Sequence, residues 1–457
     1  MAPLSSNKTW TKLAHHLKAL DPVSVALHLD DHVETKIYTP GSIISGRVDV
    51  TTDKDFAFDS FNIDFMGETS TNIQTSFGDP RHTRHIFLKL SMPLSRSVLP
   101  ESKVFQAYQT YSIPFTFTVP YHLPSKACKH TESEDLHERH LCLPPSMGYW
   151  EGKDQSPNAA RIDYNVRVML TPRPGKNGKQ GKPTTTQRSV KVLPTQFAEA
   201  ASPVSAHTKH PLTKDRSFHQ DLLSQKTGDI KVSTSIPEPV VLSVEGSQVS
   251  GSMLTVNVEF TPQKGEAALP DIHAKSMQVE AHTHYSFAHV NLLPDREDIL
   301  GSLPMIVPFF TSNKMTVQPS NKLVWETQSD SYKPSKLCRR DSGAEIDDFS
   351  DEEQASTTSG ELSHQKKYTA TLQVPISLPV SNKKLFLPSF YSCIISRTYN
   401  LRLVLGAGSL ASTIILNVPL EVVVEGSGDS APNSLPDYAH IDLEEVIPLE
   451  ALPSYTP

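Results

Sequence analysis

The sequence predicts an all-β protein built as two tandem antiparallel β-sandwiches, and three observations carry that expectation. Apolar and polar residues alternate strictly in Phe61-Asn62-Ile63-Asp64-Phe65, and again at Ile162, Tyr164, Val166, Val168 and Leu170. A period of two means one buried and one wet face, as on a sandwich sheet. Turn chemistry is dense: the chain has 36 prolines in 457 residues, and Pro40-Gly41 and Ser45-Gly46 separate short runs rich in Val, Ile, Thr, Tyr and Phe. Finally, the strand-like runs fall into two clusters divided by a stretch of Ala, Ser, His, Lys and Pro.

In chain order, a basic segment, 1–21, comes first. Trp10, Leu13, Leu17 and Leu20 recur at helical spacing with Lys8, Lys12 and Lys18, which reads as a short amphipathic helix suited to a membrane interface or to packing on the body. The first sandwich is expected over 22–200, with strands at Ser24–His28, Glu34–Tyr38, Arg47–Thr52, Phe58–Asn72, Ile86–Leu90, Tyr111–Val119, Ala160–Leu170 and Arg188–Leu193. A linker over 201–235 follows, with a short helix near Phe218–Ser224. The second sandwich is expected over 236–426, with strands at Val240–Val244, Met253–Phe260, Lys275–Tyr285, Met305–Val307, Lys322–Thr327, Tyr368–Ile376, Tyr391–Leu405 and Thr413–Val424. Leu254, Val256, Val258 and Phe260 repeat the alternation. A disordered acidic insert, about 328–366, interrupts it, since loops of that length are functional or unstructured. A disordered acidic tail, 427–457, closes the chain.

Charge is segregated along this plan. The net charge is −7, but Asp341–Glu353 contributes −7 and the stretch 426–457 contributes −6, so −7 + 7 + 6 leaves +6 on the remainder. Arg173–Lys191 concentrates six of the bases, Arg173, Lys176, Lys179, Lys182, Arg188 and Lys191, with no acid. It reads as a flexible basic loop between two strands that can touch anionic lipid or an acidic peptide. Four cysteines without paired spacing argue against a disulfide scaffold and for a reducing compartment. No apolar run approaches the length of a membrane span, and no signal-peptide pattern opens the chain, so a soluble intracellular protein is expected.

The most specific motif is terminal. Leu435-Pro436-Asp437-Tyr438 and Leu452-Pro453-Ser454-Tyr455 are two copies of Leu-Pro-x-Tyr. Proline pre-sets an extended polyproline-II backbone, and a tyrosine two residues on can enter the aromatic groove of a WW domain at little entropic cost. The copies are seventeen residues apart, which gives a flexible connector an r.m.s. reach of about 20–25 Å. A partner with several WW domains could therefore engage both.

Other constellations rank lower. Cys128, His130, His137, His140 and Cys142 are the best metal-ligand group, with Cys128, His130, His140 and Cys142 as the candidate ligands. Their spacing matches none of the common zinc fingers, and acidic neighbours suggest an ordinary solvated loop, so neither metal nor cofactor is expected. Gly406-Ala407-Gly408-Ser409-Leu410-Ala411 fits a dinucleotide fingerprint, but β-branched residues follow where a helix would be needed. It is expected to be a hairpin turn. No hydrolase, phosphate-loop or kinase motif is visible, and no enzyme is expected.

Several segments resemble one family. Tyr38-Thr39-Pro40-Gly41 with Ile44-Ser45-Gly46-Arg47-Val48, Phe115–Pro120 with Leu123-Pro124, Cys128, His130, His140 and Leu143-Pro144-Pro145-Ser146, then Pro375–Pro379 and Ser392-Cys393-Ile394-Ile395-Ser396-Arg397 with Tyr399 are similar to fungal arrestin-like proteins (α-arrestins) of the ubiquitin-ligase adaptor type. The resemblance implies two arrestin-like β-sandwiches that select a membrane transporter or permease. It also implies that the tyrosine motifs recruit a WW-domain HECT-type ubiquitin ligase, so that the cargo is ubiquitinated, endocytosed and sorted. The implied setting is cytoplasmic, with peripheral recruitment to the plasma membrane or endosomes and no nucleic-acid partner. The family's usual motif has two prolines before x-Tyr. Here Leu435 and Leu452 stand first, lacking proline's fixed φ, so each site should bind more weakly. A trafficking scaffold of the same fold that engages no ligase is the alternative, and an enzyme with a metal site at 128–142 a distant third. Ser342, after Arg339-Arg340, and Ser350, before Asp351-Glu352-Glu353, are candidate phosphorylation sites.

Overall fold

The computed structural model describes residues 23–195 and 212–426 apart from gaps, the longest of which are 220–225, 292–305 and 329–365, together with 439–440 and 447–448. The first half contains β1 (Val23–Leu29), β2 (Ile37–Tyr38), β3 (Ile43–Thr52), β4 (Phe56–Ile73), β5 (Arg81–Ser91), β6 (Val104–Phe105), β7 (Thr110–Thr118), a 3-10 turn (Ser125–Ala127), α1 (Glu134–Leu141), β8 (Ala160–Pro172) and β9 (Thr184–Val192). The second contains β10 (Leu212–His219), β11 (Lys226–Thr234), β12 (Val240–Leu242), β13 (Ser252–Pro262), β14 (Ile272–Ser286), β15 (Ile306–Met315), β16 (Glu326–Gln328), β17 (Lys367–Ile376), β18 (Phe390–Tyr391), β19 (Ile395–Ala407), β20 (Thr413–Leu420) and β21 (Val422–Val424). Nearly all of this is strand, and the all-β class holds.

In the first half, β1-β3-β7 forms one sheet and β2-β9-β8-β4-β5 the other. The alternating residues of β8 (Ile162, Tyr164, Val166, Val168, Leu170) are all buried in one core with Ile113, Phe115 and Phe117 of β7. Phe65 of β4 meets Phe117 with ring centroids 6.0 Å apart. The wet face expected at Asp64 is not wet. Asp64 is buried, accepts a 2.5 Å hydrogen bond from the Ser91 hydroxyl and has Lys89 Nζ 4.0 Å away, so its outward charge is paired.

In the second half, β10-β11-β13-β17-β16 packs against a sheet of β15-β14-β19-β18, with β20 beside β19. Leu254, Val256, Val258 and Phe260 are buried while Met253 and Asn257 are exposed, the period-two pattern expected. β19 runs through Gly406 and Ala407 and pairs antiparallel with β20, Gly406 opposite Thr413, while 409–412 lie outside the described residues.

Three elements differ from expectation. The linker holds β10 and β11, whose polar, alternating residues pair antiparallel with each other and onto β13; Phe218 ends β10 rather than starting a helix. The run Tyr391–Leu405 is broken at Ser392–Ile394, where the Ser392 hydroxyl donates to the Ile395 carbonyl at 2.7 Å and turns the chain. Arg188 and Lys191 lie on a strand, as the expected run Arg188–Leu193 has it, but β9 starts at Thr184 and so shortens the basic loop. In the terminal segment, β22 (Ala439–His440) and β23 (Ile447–Pro448) pair antiparallel with the edge strand β5, opposite Leu90–Ser91 and Thr83–Arg84.

Candidate metal centre at the junction of the two sandwiches

The two halves meet along a polar seam. Thr71 and Thr83, on β4 and β5, donate to the carbonyls of Ser286 (2.9 Å) and Phe287 (3.1 Å) in the second half. The hub is Arg397 on β19, whose side chain is wholly buried. Its Nε donates to Thr283 Oγ1 at 2.8 Å within its own sheet. Nη1 donates to the Asp154 carbonyl (3.1 Å), and Nη2 to the Ser156 hydroxyl (3.2 Å) and the Gln155 carbonyl (3.4 Å), all in the first half. Gln155 sits at φ 57°, an uncommon conformation for a side-chain-bearing residue. It is held there by hydrogen bonds from Thr311 (2.8 Å) and Asn313 (2.5 Å) to its Oε1. A buried guanidinium is costly unless its donors are satisfied, and here both halves supply the acceptors.

Beside this hub lie four side chains, Cys128, His130, His140 and Cys393, whose ligand atoms all fall within 4.8 Å of one another. Each is delivered by a different local cause. Cys128 follows the 3-10 turn and is buried. In α1, Leu136, Arg139 and His140 are the buried residues, one helical face three and four positions apart, so His140 points inward while Glu138 points out. Cys393 occupies the tight turn between β18 and β19; its carbonyl accepts from the Val290 N–H at 2.8 Å. Cys128 Sγ lies 3.4 Å from His140 Nδ1 and 3.6 Å from His130 Nδ1. Cys142 is not part of the group: its thiol is exposed and directed at the Glu138 carbonyl, 3.6 Å away. Of the candidate ligands, then, three are brought together and the fourth place is taken by a cysteine of the other half.

The electrostatics follow from crowding in a dry site. A hydrogen bond from the Cys393 thiol, then those from the imidazoles of His130 and His140, hold Cys128 far below the ordinary thiol range. The same pairing and burial push Cys393 well up. Of the two thiols, Cys128 is therefore the more acidic. Around the group, His130 stacks on His289 of the second half with centroids 4.0 Å apart, and His85 of β5 meets His289 edge-on at 5.2 Å. Burial, reinforced by the neighbouring imidazoles, lowers His85 and His289 to about 4, so both are neutral at pH 7. Two thiols and two imidazoles are a donor set for a borderline-soft divalent metal.

The other sequence-derived residues lie elsewhere. Arg173, Lys179, Lys182 and Arg188 are exposed beyond and along the β8–β9 pair, and Lys191 is half-buried with its Nζ 5.2 Å from the Trp150 ring centroid. Lys176, the 1–21 segment, the acidic block with Ser342 and Ser350, and Leu435, Pro436, Tyr438, Leu452, Pro453 and Tyr455 fall outside the described residues. Sequence reasoning missed Cys393, His289, Gln155 and Arg397 as partners. The signal available was the segment Ser392–Arg397 itself, which carries a cysteine and an arginine in an otherwise apolar run.

Fold and site together define a class: an all-β protein of two sandwiches clasped around a buried Cys/His cluster, an architecture compatible with an arrestin-like fold. No protein-family model matches the chain. Over 154 residues it is 26% identical to Bypass of stop codon protein 5 of Saccharomyces cerevisiae, a match taking in 28% of this chain and 30% of the yeast protein. No helix among the described residues is long and apolar enough to cross a membrane.

Proposed function

We propose that this protein is an adaptor that joins membrane transporters or permeases to a WW-domain HECT-type ubiquitin ligase. The observation that carries the reading is the pair of Leu-Pro-x-Tyr motifs in the terminal acidic stretch. A rigid double sandwich offers a broad surface for cargo, and its exposed Arg173, Lys179, Lys182 and Arg188 suit acidic cargo tails or anionic lipid. The short pairings of Ala439–His440 and Ile447–Pro448 with β5 support it further, since they fall between the two motifs and tether that segment to the body. The two copies are seventeen residues apart, so a multi-WW partner that engages both gains from high effective concentration.

Titration of the full chain into a fragment carrying several WW domains tests this. Replacing Tyr438→Ala or Tyr455→Ala weakens binding, and replacing both abolishes it. A double variant that binds like the parent rejects ligase recruitment through the tail and leaves a scaffold that works without a ligase.

A further inference from the structure

We propose that Cys128, His130, His140 and Cys393 form a structural zinc site that staples the second sandwich to the first. Two features favour zinc over a hydrogen-bonded thiol–imidazole cluster. One is geometry. With Zn–S near 2.3 Å and Zn–N near 2.0–2.1 Å, a tetrahedral site has sulfur-to-nitrogen edges of about 3.6 Å. Cys128 Sγ stands 3.4 Å from His140 Nδ1 and 3.6 and 3.8 Å from the two ring nitrogens of His130. Cys393 closes the group within 4.8 Å. A small inward movement of the four side chains reaches bonding distance.

The other feature is charge. Cys128, His140 and Cys393 are buried, so any ion they hold must be neutralised on the spot. Two thiolates and two neutral imidazoles around Zn2+ give a net charge of zero. Any thiol proton the two cysteines still carry leaves to solvent on binding, and no electron moves. Oxygen-preferring Mg2+ and Ca2+ are ill served by this set.

The supports around the ligands match what a closed structural site needs. Thr131 Oγ1 lies 3.6 Å from Cys128 Sγ, His289 stacks on His130, and the Cys393 turn is pinned by the Val290 N–H. Three ligands come from one half of the chain and one from the other. Zinc binding free energy therefore stabilises the junction itself, over and above the Arg397 bonds.

The test uses the full chain, purified under reducing conditions without chelator. Elemental analysis should return one zinc per chain, and cobalt(II) substitution should give the visible bands of a tetrahedral, thiolate-ligated ion. Cys393→Ser and Cys128→Ser should each weaken zinc binding by more than about 100-fold, the upper end of what loss of an outer-shell partner alone costs. Cys142→Ser should retain it. Because the cysteine variants could misfold, the parent supplies a second readout: chelation should speed amide exchange at Ser286 and Val290, which bond to Ile394 and Cys393 across the turn. The proposal is overturned by a reduced parent that neither carries zinc nor takes up cobalt, by stoichiometric copper or iron in its place, or by a Cys128–Cys393 disulfide in protein from the cell. Zinc retained in Cys393→Ser but lost in Cys142→Ser would equally sink it. Exchange at the junction that ignores chelation would reject the staple. None of these readouts involves the tail motifs, so failure here leaves the adaptor reading standing, and the reverse.

Discussion

Replacing Arg397 with methionine removes the hub of the junction while keeping an unbranched apolar stem of similar reach. Four acceptors lose a donor: Thr283 Oγ1, the carbonyls of Asp154 and Gln155, and Ser156 Oγ. The two hydroxyls can rotate to other partners, but the buried carbonyls cannot, and each unsatisfied group costs about 1–3 kcal/mol. Two such groups give about 2–6 kcal/mol. Part is offset because the desolvated guanidinium charge disappears as well. The net expectation is a loss of about 3 kcal/mol, placed at the junction and not within either sandwich core. For units of roughly 200 residues that corresponds to a fall of about 6–12 °C in the melting midpoint. Three of the four acceptors that Arg397 serves lie across the junction, so calorimetry should show more than a shift. The two halves should begin to melt as separate transitions, with earlier exchange of amides around Asp154–Ser156. A variant that melts as one unit within about 0.5 kcal/mol of the parent would show that Arg397 is a passive buried cation, and the reasoning from its acceptors would be wrong.

Three more predictions concern other parts of the molecule. His284 is lowered to about 4 by burial first and by neighbouring His282 second. Since the unfolded chain takes up that proton near pH 6.5 and the folded one does not until about 4, stability is intact above pH 6.5 and is lost as pH falls toward 4, by about 2 kcal/mol at pH 5. His284→Gln should flatten the pH dependence of denaturant unfolding by that amount, and an unchanged slope would refute it. At Gly67, a Cβ would run into Phe87 Cε2 and lie 3.0 Å from Tyr164 Cε1, with both rings buried. Gly67→Ala should therefore cost about 1–3 kcal/mol by overpacking, whereas Gly178→Ala, with open space around it, should show only the strain of its φ of +70°. Phosphorylation at Ser342 and Ser350 would add about −1.5 to −2 charges each to the acidic block, strengthening its competition for the exposed bases Arg173, Lys179, Lys182 and Arg188. Binding to anionic vesicles should fall in Ser342→Asp/Ser350→Asp and rise when 341–353 is deleted, with both differences shrinking at high salt. Equal binding by all three chains would leave the block a passive insert.

What the sequence determined by itself is what depends on near neighbours. The alternation from Ile162 to Leu170 and from Leu254 to Phe260 marks strands with one buried face, because successive side chains on a pleated backbone must point to opposite sides. The strand after Gly408 was legible for the same reason: the β-branched Thr413-Ile414-Ile415 favours β20 where a dinucleotide site would need a helix. The strands at Leu212–His219 and Lys226–Thr234 were hidden because their outward residues, such as Lys214, Asp215 and Lys231, are charged. Their membership of the second sandwich rests on backbone pairing with β13, which no local pattern encodes. Asp64 looked like a solvent-facing residue until Ser91 and Lys89 were brought against it. The metal group shows the division most sharply. Cys128, His130 and His140 stood out by proximity in the chain, and Cys142 seemed their natural fourth. Only tertiary structure could exchange Cys142 for Cys393, because α1 turns the Cys142 thiol outward to Glu138 while the docking of two sandwiches carries the β18–β19 turn into the gap. Likewise Arg397 is an unremarkable charged residue in its strand. Its burial is tolerable only because the Asp154–Ser156 loop of the other half arrives with carbonyls already aimed at it.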